Sequence, residues 1–313
     1  MKRSTLRVIK MLSHLDIHIK RTYRIYRKIQ KLLNPQVKTR YHLLDHRILV
    51  EHREVPVRIF RPENHETTKS LIFFHGGGWV TGNIDSYTPI CTQLANQTQH
   101  NVISVDYALA PENPFPAGLE ECYRVTREIF LNPLLLPCCH DDITLIGDSA
   151  GGNLAAAVSL MARDRGDFLP KRQILIYPAT YNDHSSHSPF ESVRTNGKDY
   201  IFTSKRIQDY MDLYIQNDED RSNPYFSPLL AENLSQQPQT LIITAEYDPL
   251  RDEGEMYGVR LKDFGNSVMV HRISDALHGF FSFPWNKEAL KECIMIINAF
   301  LNNEKTASKK EQE

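Results

Sequence analysis

Short unbroken apolar runs recur along the chain, and most are followed by a stretch with apolar residues at helical spacing. Leu71–Phe74 in SLIFFHGGG forms one such run and ends on glycines. The stretch NVISVDYALAPENPFPAGLEE, from Asn101, is a second run leading through a proline-rich loop into a helix start. Ile143–Ile146 come next, before a helix rich in alanine from Asn153 onward. RQILIYPAT from Arg172 is a further strand, and QTLIITAEYDPLRDEGEMYGVRLKDFG from Gln239 repeats strand, loop and helix. NSVMVHRISDALHGFFSF from Asn266 supplies a last strand and loop, and KEALKECIMIINAFLNN from Lys287 a terminal amphipathic helix. Upstream, HRILVEHREVPVRIFRP (46–62) alternates and predicts two short strands joined by a turn. Fully apolar strands alternating with helices predict a mainly parallel sheet covered on both faces.

Two segments break the alternation. Near the N-terminus, Val8, Leu12, Leu15, Ile19, Tyr26, Ile29 and Leu33 keep close to a helical period. They predict an amphipathic helix stopped near Asn34 and Pro35, its apolar stripe laid on the body of the protein. The second is Tyr181–Leu230, polar and rich in Ser, His, Asn and Asp, with one helix expected over Ser204–Gln216. Fifty residues between two core strands is too long for an ordinary connection and predicts a lid or cap. The tail Glu304–Glu313, EKTASKKEQE, is expected to be disordered.

Composition changes this picture little: 41% hydrophobic and 24% charged residues describe a globular chain. The net charge of −1 conceals an asymmetry, because residues 1–40 hold twelve lysines and arginines against one acid, Asp16. Such a leader invites a membrane surface or nucleic acid. Its apolar period favours packing on the acidic body instead, with no nucleic-acid partner and membrane contact the lesser alternative. No run is long enough for a signal segment or a membrane span. Five cysteines (Cys91, Cys122, Cys138, Cys139, Cys293) form no spaced C-x-x-C pair. With no secretory signal they predict reduced thiols and a cytoplasmic protein.

The chemistry starts at ITLIGDSAGGNLAAAV, where Ser149 lies between Gly147 and Gly151 at a strand-to-helix junction. G-x-S-x-G in that context is the turn that exposes a nucleophilic hydroxyl, and the helix start favours developing negative charge. A serine needs a base, and the base an orienting acid. Asp248 follows one later strand and His278 the next, giving the order Ser, Asp, His. Gly76, Gly77 and Gly78 directly follow Phe74 and His75, so their backbone N–H groups can converge on one small volume. Gly76 and Gly77, with Ala150, are the expected oxyanion donors, each worth ~3 kcal/mol in a transition state. A phosphate loop is disfavoured, because no Lys-Ser/Thr follows the glycines. Asp148 is read as hydrogen-bonding locally, Asp252 as the reserve acid with a helix-opening role, and Glu246 as orienting a loop or meeting a polar substrate group. His184 and His187 have near-metal spacing but no convincing partners, so no metal is expected.

Together HGGGW, DYALAPENPFPA, GDSAGG, YDPLRDEG and HGF resemble the hormone-sensitive-lipase-like carboxylesterases of the α/β-hydrolases, over about His46–Leu301. The resemblance implies a cofactor-free serine esterase acting through Ser149, Asp248 and His278, with Gly76, Gly77 and Ala150 at the oxyanion and His75 shaping the glycine loop. It also implies a helical cap made of 1–45 and 181–230 over a catalytic body of 46–180 and 231–303. The heavy basic charge of the leader departs from the family pattern. Trp79 and Tyr107 are the candidate pocket residues. The expected substrates are short- to medium-chain acyl esters of small molecules, acetylated compounds being one version. A true lipase is disfavoured by the polar insertion. Amide or carbamate hydrolysis uses the same constellation, whereas a ligand-binding protein on this body would usually lack a triad member. A homodimer is compatible with the sequence.

Overall fold

The computed structural model describes residues 18–33, 43–50, 53–63, 66–132, 142–200, 202–283 and 287–302, with the backbone alone at 31–33. The expected disordered tail, the leader before His18, the helix stop at Asn34–Pro35, and Cys138 and Cys139 lie outside the described residues.

Eight strands form one sheet: β1 (Leu43–Val50), β2 (Arg53–Phe60), β3 (Ser70–Phe74), β4 (Asn101–Val105), β5 (Ile143–Asp148), β6 (Arg172–Ile176), β7 (Gln239–Tyr247) and β8 (Val268–Leu277). Their order is β1-β2-β4-β3-β5-β6-β7-β8. The pairs β1/β2 and β2/β4 are antiparallel, and every other pair is parallel. All eight strands read from the apolar pattern are present.

The continuous apolar runs have a direct cause. β3, β4, β5 and β6 are buried at every residue, because each alternate side chain enters a different core. Leu71 and Phe73 pack with Ile90 and Leu94 of α2 (Ile84–Thr98) and with Cys293 and Ile297 of α8 (Lys287–Asn302). Ile72 and Phe74 pack on the opposite face with α3 (Ala117–Leu131) and α4 (Ala150–Arg165). Strands β1 and β8 sit at the edges and alternate or stay half exposed.

Between β6 and β7 lie α5 (Glu191–Asn196) and α6 (Ser204–Tyr214), before α7 (Arg251–Asp263). Helix α6 opens on Thr203, whose side chain accepts from the Arg206 N–H, and buries Ile207, Met211 and Tyr214 at i, i+4 and i+7. Its Asp212 and Asp209 hold Lys20 of α1 (Ile19–Leu33) at 2.6 and 3.4 Å. The two irregular segments therefore meet each other, on the glycine-loop side of the sheet.

The buried face of α1 differs from the stripe expected. Ile19 and Tyr23 are buried, but Tyr26 and Ile29 are exposed, as is Ile25. Polar anchoring sets the rotation. Arg27 donates to the carbonyl oxygens of Val80 (2.7 Å) and Ala110 (2.6 Å), and Gln30 accepts from the Gly82 N–H at 3.3 Å. Ile19, Tyr23, Arg27 and Gln30 share one side of the helix, which turns Ile25 and Ile29 outward.

Candidate active site

Ser149 occupies a strained turn between β5 and α4, with φ 56° and ψ −118°. Its N–H donates to the Ile176 carbonyl at 2.8 Å, fastening the turn to the end of β6. The flanking glycines are required by close approach: a Cβ on Gly147 would collide with the Gly151 carbonyl, and one on Gly151 with that of Phe74. The strain is held by these close approaches and by the Ser149 carbonyl, which accepts the Asn153 and Ala179 N–H groups.

Asp248 and His278 come from the ends of β7 and β8, 30 residues apart in sequence. His278 Nε2 lies 2.9 Å from Ser149 Oγ, and His278 Nδ1 lies 2.7 Å from Asp248 Oδ2. Asp248 is fully buried, and its Oδ1 accepts the Leu250 N–H at 2.8 Å. That arrangement assigns the proton to Nδ1 and leaves Nε2 to accept from the serine hydroxyl. Asp252, the reserve acid, is directed away: its carboxylate meets the Ser192 N–H (2.7 Å) and Arg251. Glu246 accepts the Asp275 N–H at 2.7 Å and so steadies the loop carrying His278.

The glycine loop corrects one expectation. The Gly76 N–H donates to Asp148 Oδ1 at 2.8 Å and lies 3.1 Å from the Tyr87 hydroxyl oxygen. It is engaged and cannot serve an oxyanion. The next two glycines carry the turn, with φ 118° at Gly77 and 61° at Gly78. Asp148 is a buried hub, its Oδ2 also accepting from the hydroxyls of Tyr87 (3.1 Å) and Tyr177 (3.2 Å). Burial pushes its carboxyl up to about 6, against the opposing pull of these donors and of His278.

A family profile described as alpha/beta hydrolase fold matches residues 71–282. The chain belongs to the alpha/beta-hydrolase family. It is 37% identical to an arylesterase of Saccharolobus solfataricus over 83% of this chain and 82% of that protein. It is 32% identical to an ethyl acetate hydrolase of Pseudomonas putida, over 78% and 77% respectively. Among solved structures, a hyperthermophilic esterase from the archaeon Pyrobaculum calidifontis is similar at TM-score 0.83 and 35% identity, covering 95% of this chain and 97% of that one.

The alpha/beta-hydrolase body also places the remaining candidates. His75 is buried, donates from Nδ1 to the Gly76 carbonyl at 2.8 Å, and stacks on Tyr107 at 4.3 Å. Tyr107 donates its hydroxyl to the His75 carbonyl at 2.7 Å. It therefore supports the loop from behind, not a substrate pocket. Trp79 is covered by Tyr214 (4.9 Å, nearly parallel) and by Phe226, so its ring presents no open face either. His184 Nε2 meets Glu253 Oε2 at 2.5 Å, and Glu253 Oε1 accepts the Thr180 and Tyr181 N–H groups. This buried pair ties the start of the insertion to α7.

Three aromatic residues beside the site were missed from sequence. Phe202 lies flat on the His278 ring, with centroids 4.0 Å apart and planes 11° apart. Tyr177, just past β6, covers the ring as well, at 4.7 Å. Tyr210 of α6 closes over Gly78, so close that a Cβ there would sit 2.5 Å from its ring. Phe202 and Tyr210 come from the polar insertion, where no periodic signal singles them out. A cleft of about 760 Å³ lies elsewhere, lined by Arg27, Asp45, Arg58, Asp85 and Asp106 among others, and none of the triad candidates lines it.

Proposed function

We propose that this carboxylic ester hydrolase cleaves short acyl esters of small molecules through an acyl-serine intermediate on Ser149. The observation that carries the reading is the pair of contacts at His278, 2.9 Å to Ser149 Oγ and 2.7 Å to Asp248 Oδ2. His278 Nε2 takes the hydroxyl proton as Oγ attacks the ester carbonyl. Asp248 holds the tautomer and stabilises the imidazolium. The oxyanion forms beside the N–H groups of Gly77, Gly78 and Ala150, the last at the N-terminus of α4. His278 then returns its proton to the leaving alcohol. Water repeats the sequence on the acyl-enzyme, releasing the acid and restoring the hydroxyl.

Crowding supports short acyl groups. Ser149 is 8% exposed, and Phe202 and Tyr210 press on His278 and Gly78 from the insertion. We read α1 and residues 181–230 as one cap over the site. The arylesterase and ethyl acetate hydrolase relatives fit a small acyl group on either an aryl or an alkyl alcohol. The test is hydrolysis of p-nitrophenyl esters with acyl chains from acetyl to dodecanoyl, wild type beside Ser149→Ala. Turnover that peaks at short chains and falls by about 10⁴-fold or more in the folded mutant is expected. Equal turnover by the mutant, or a peak at the longest chains, refutes the assignment. Faster turnover of matched anilides than of esters would move the reading to an amidase.

A further inference from the structure

The outer face of α1 combines exposed apolar and cationic side chains. Ile25 is 58% exposed, Ile29 46% and Tyr26 36%, beside exposed Arg21, Arg24 and Lys28. The helix, IKRTYRIYRKIQKLL, contains no carboxylate. Its inward cations have protein partners: Lys20 pairs with Asp212, and Arg27 with Glu112 and two carbonyls. Arg24 donates to the hydroxyl of Tyr23 on the same helix at 3.0 Å, and with Arg21 and Lys28 it stays exposed next to the apolar pair Ile25 and Ile29.

We propose that this face docks the protein on an anionic lipid bilayer, with Ile25, Tyr26 and Ile29 set into the headgroup boundary and the basic residues on lipid phosphates. Charge complementarity selects both partner and orientation. Among the described residues this face carries Arg21, Arg24 and Lys28 with no acid on the helix, whereas the chain after residue 40 holds 37 acids against 25 bases. An anionic surface therefore attracts this face and repels the body. Nucleic acid would satisfy the cations but leave the isoleucines in water. A second copy would set like charges together, over a patch of three apolar side chains, far short of the ~800 Å² per partner of a stable interface. An amphipathic helix lying in the interface plane satisfies both kinds of side chain.

The docking would also place the site. Helix α1 holds α6 through Lys20 and holds the glycine loop's far end through Arg27 at Val80 and Gln30 at Gly82. Bilayer contact at α1 thus brings the α1/α6 side of the molecule to the membrane, where sparingly soluble esters concentrate.

The experiment is co-sedimentation of the full chain with sucrose-loaded vesicles of phosphatidylcholine, alone or with one quarter phosphatidylglycerol. Binding is expected to the mixed vesicles, to weaken in high salt, and to be about tenfold or more weaker on phosphatidylcholine alone. Ile25→Ser/Ile29→Ser, which keeps every charge, should weaken binding about tenfold. Arg21→Gln/Arg24→Gln/Lys28→Gln should weaken it roughly 100-fold. Turnover of soluble p-nitrophenyl acetate should match wild type in both variants and reports that they are folded. No sedimentation with mixed vesicles overturns the proposal. So does binding indifferent to the isoleucine change, or a solution dimer that the same change dissolves.

Discussion

Replacing Asp148 by asparagine tests the buried hub behind the glycine loop. The carboxylate is 1% exposed and accepts one N–H and two tyrosine hydroxyls. Burial still dominates and lifts its pKa from 3.8 to about 6. The native state therefore binds this proton more tightly than the unfolded chain. The stability so gained is fully present below about pH 3.8 and is lost as pH rises through about 6. A shift of about two units corresponds to ~3 kcal/mol, of which ~2–3 falls between about pH 4 and 7.5. The substituted amide would keep the shape, with its oxygen facing the Gly76 N–H, and would not titrate. The stability of wild type relative to Asp148→Asn should thus fall by ~2–3 kcal/mol from about pH 4 to 7.5. Urea unfolding of both proteins at several pH values measures this double difference, in which the other titrating groups cancel. A difference that stays flat would mean the three donors fully offset burial. A difference that grows with pH would mean they outweigh it, and either result refutes the reasoning.

Two further substitutions probe contacts made by the insertion. Phe202→Ala removes the flat cover from His278; kcat for p-nitrophenyl acetate should drop about tenfold with KM little changed, and Phe202→Leu should recover part of the loss. Unchanged kcat in Phe202→Ala would show that the stack does not hold the base. Gly78→Ala drives a Cβ into the Tyr210 ring and should lower kcat by about 10²-fold by displacing a donor. Adding Tyr210→Ala should restore part of that activity, whereas no restoration would place the fault in the backbone at φ 61°.

What the chain encodes locally and what it leaves to tertiary contact separate cleanly here. Unbroken apolar runs mark strands buried on both faces, and all eight strands are legible because each pattern lies within a few neighbouring residues. Gly147 and Gly151 mark the turn at Ser149 because the backbones approach too closely for any Cβ. The order of Ser149, Asp248 and His278 follows from strands whose ends share one edge of a parallel sheet, and the fold brings the three within hydrogen-bond distance. The direction of a single N–H is a different matter. Gly76, Gly77 and Gly78 look equivalent in sequence, and it takes the carboxylate of Asp148, 72 residues away, together with the Tyr87 hydroxyl to engage the first of them. The stripe expected on α1 suffered the same ambiguity, since Arg27 and Gln30 chose the buried face through carbonyl and amide groups of a distant loop. Phe202 and Tyr210 had no signal at all, being single aromatics in a polar segment. Periodicity reports which residues leave water, whereas the partner a buried group finds depends on elements that meet only when the chain has folded.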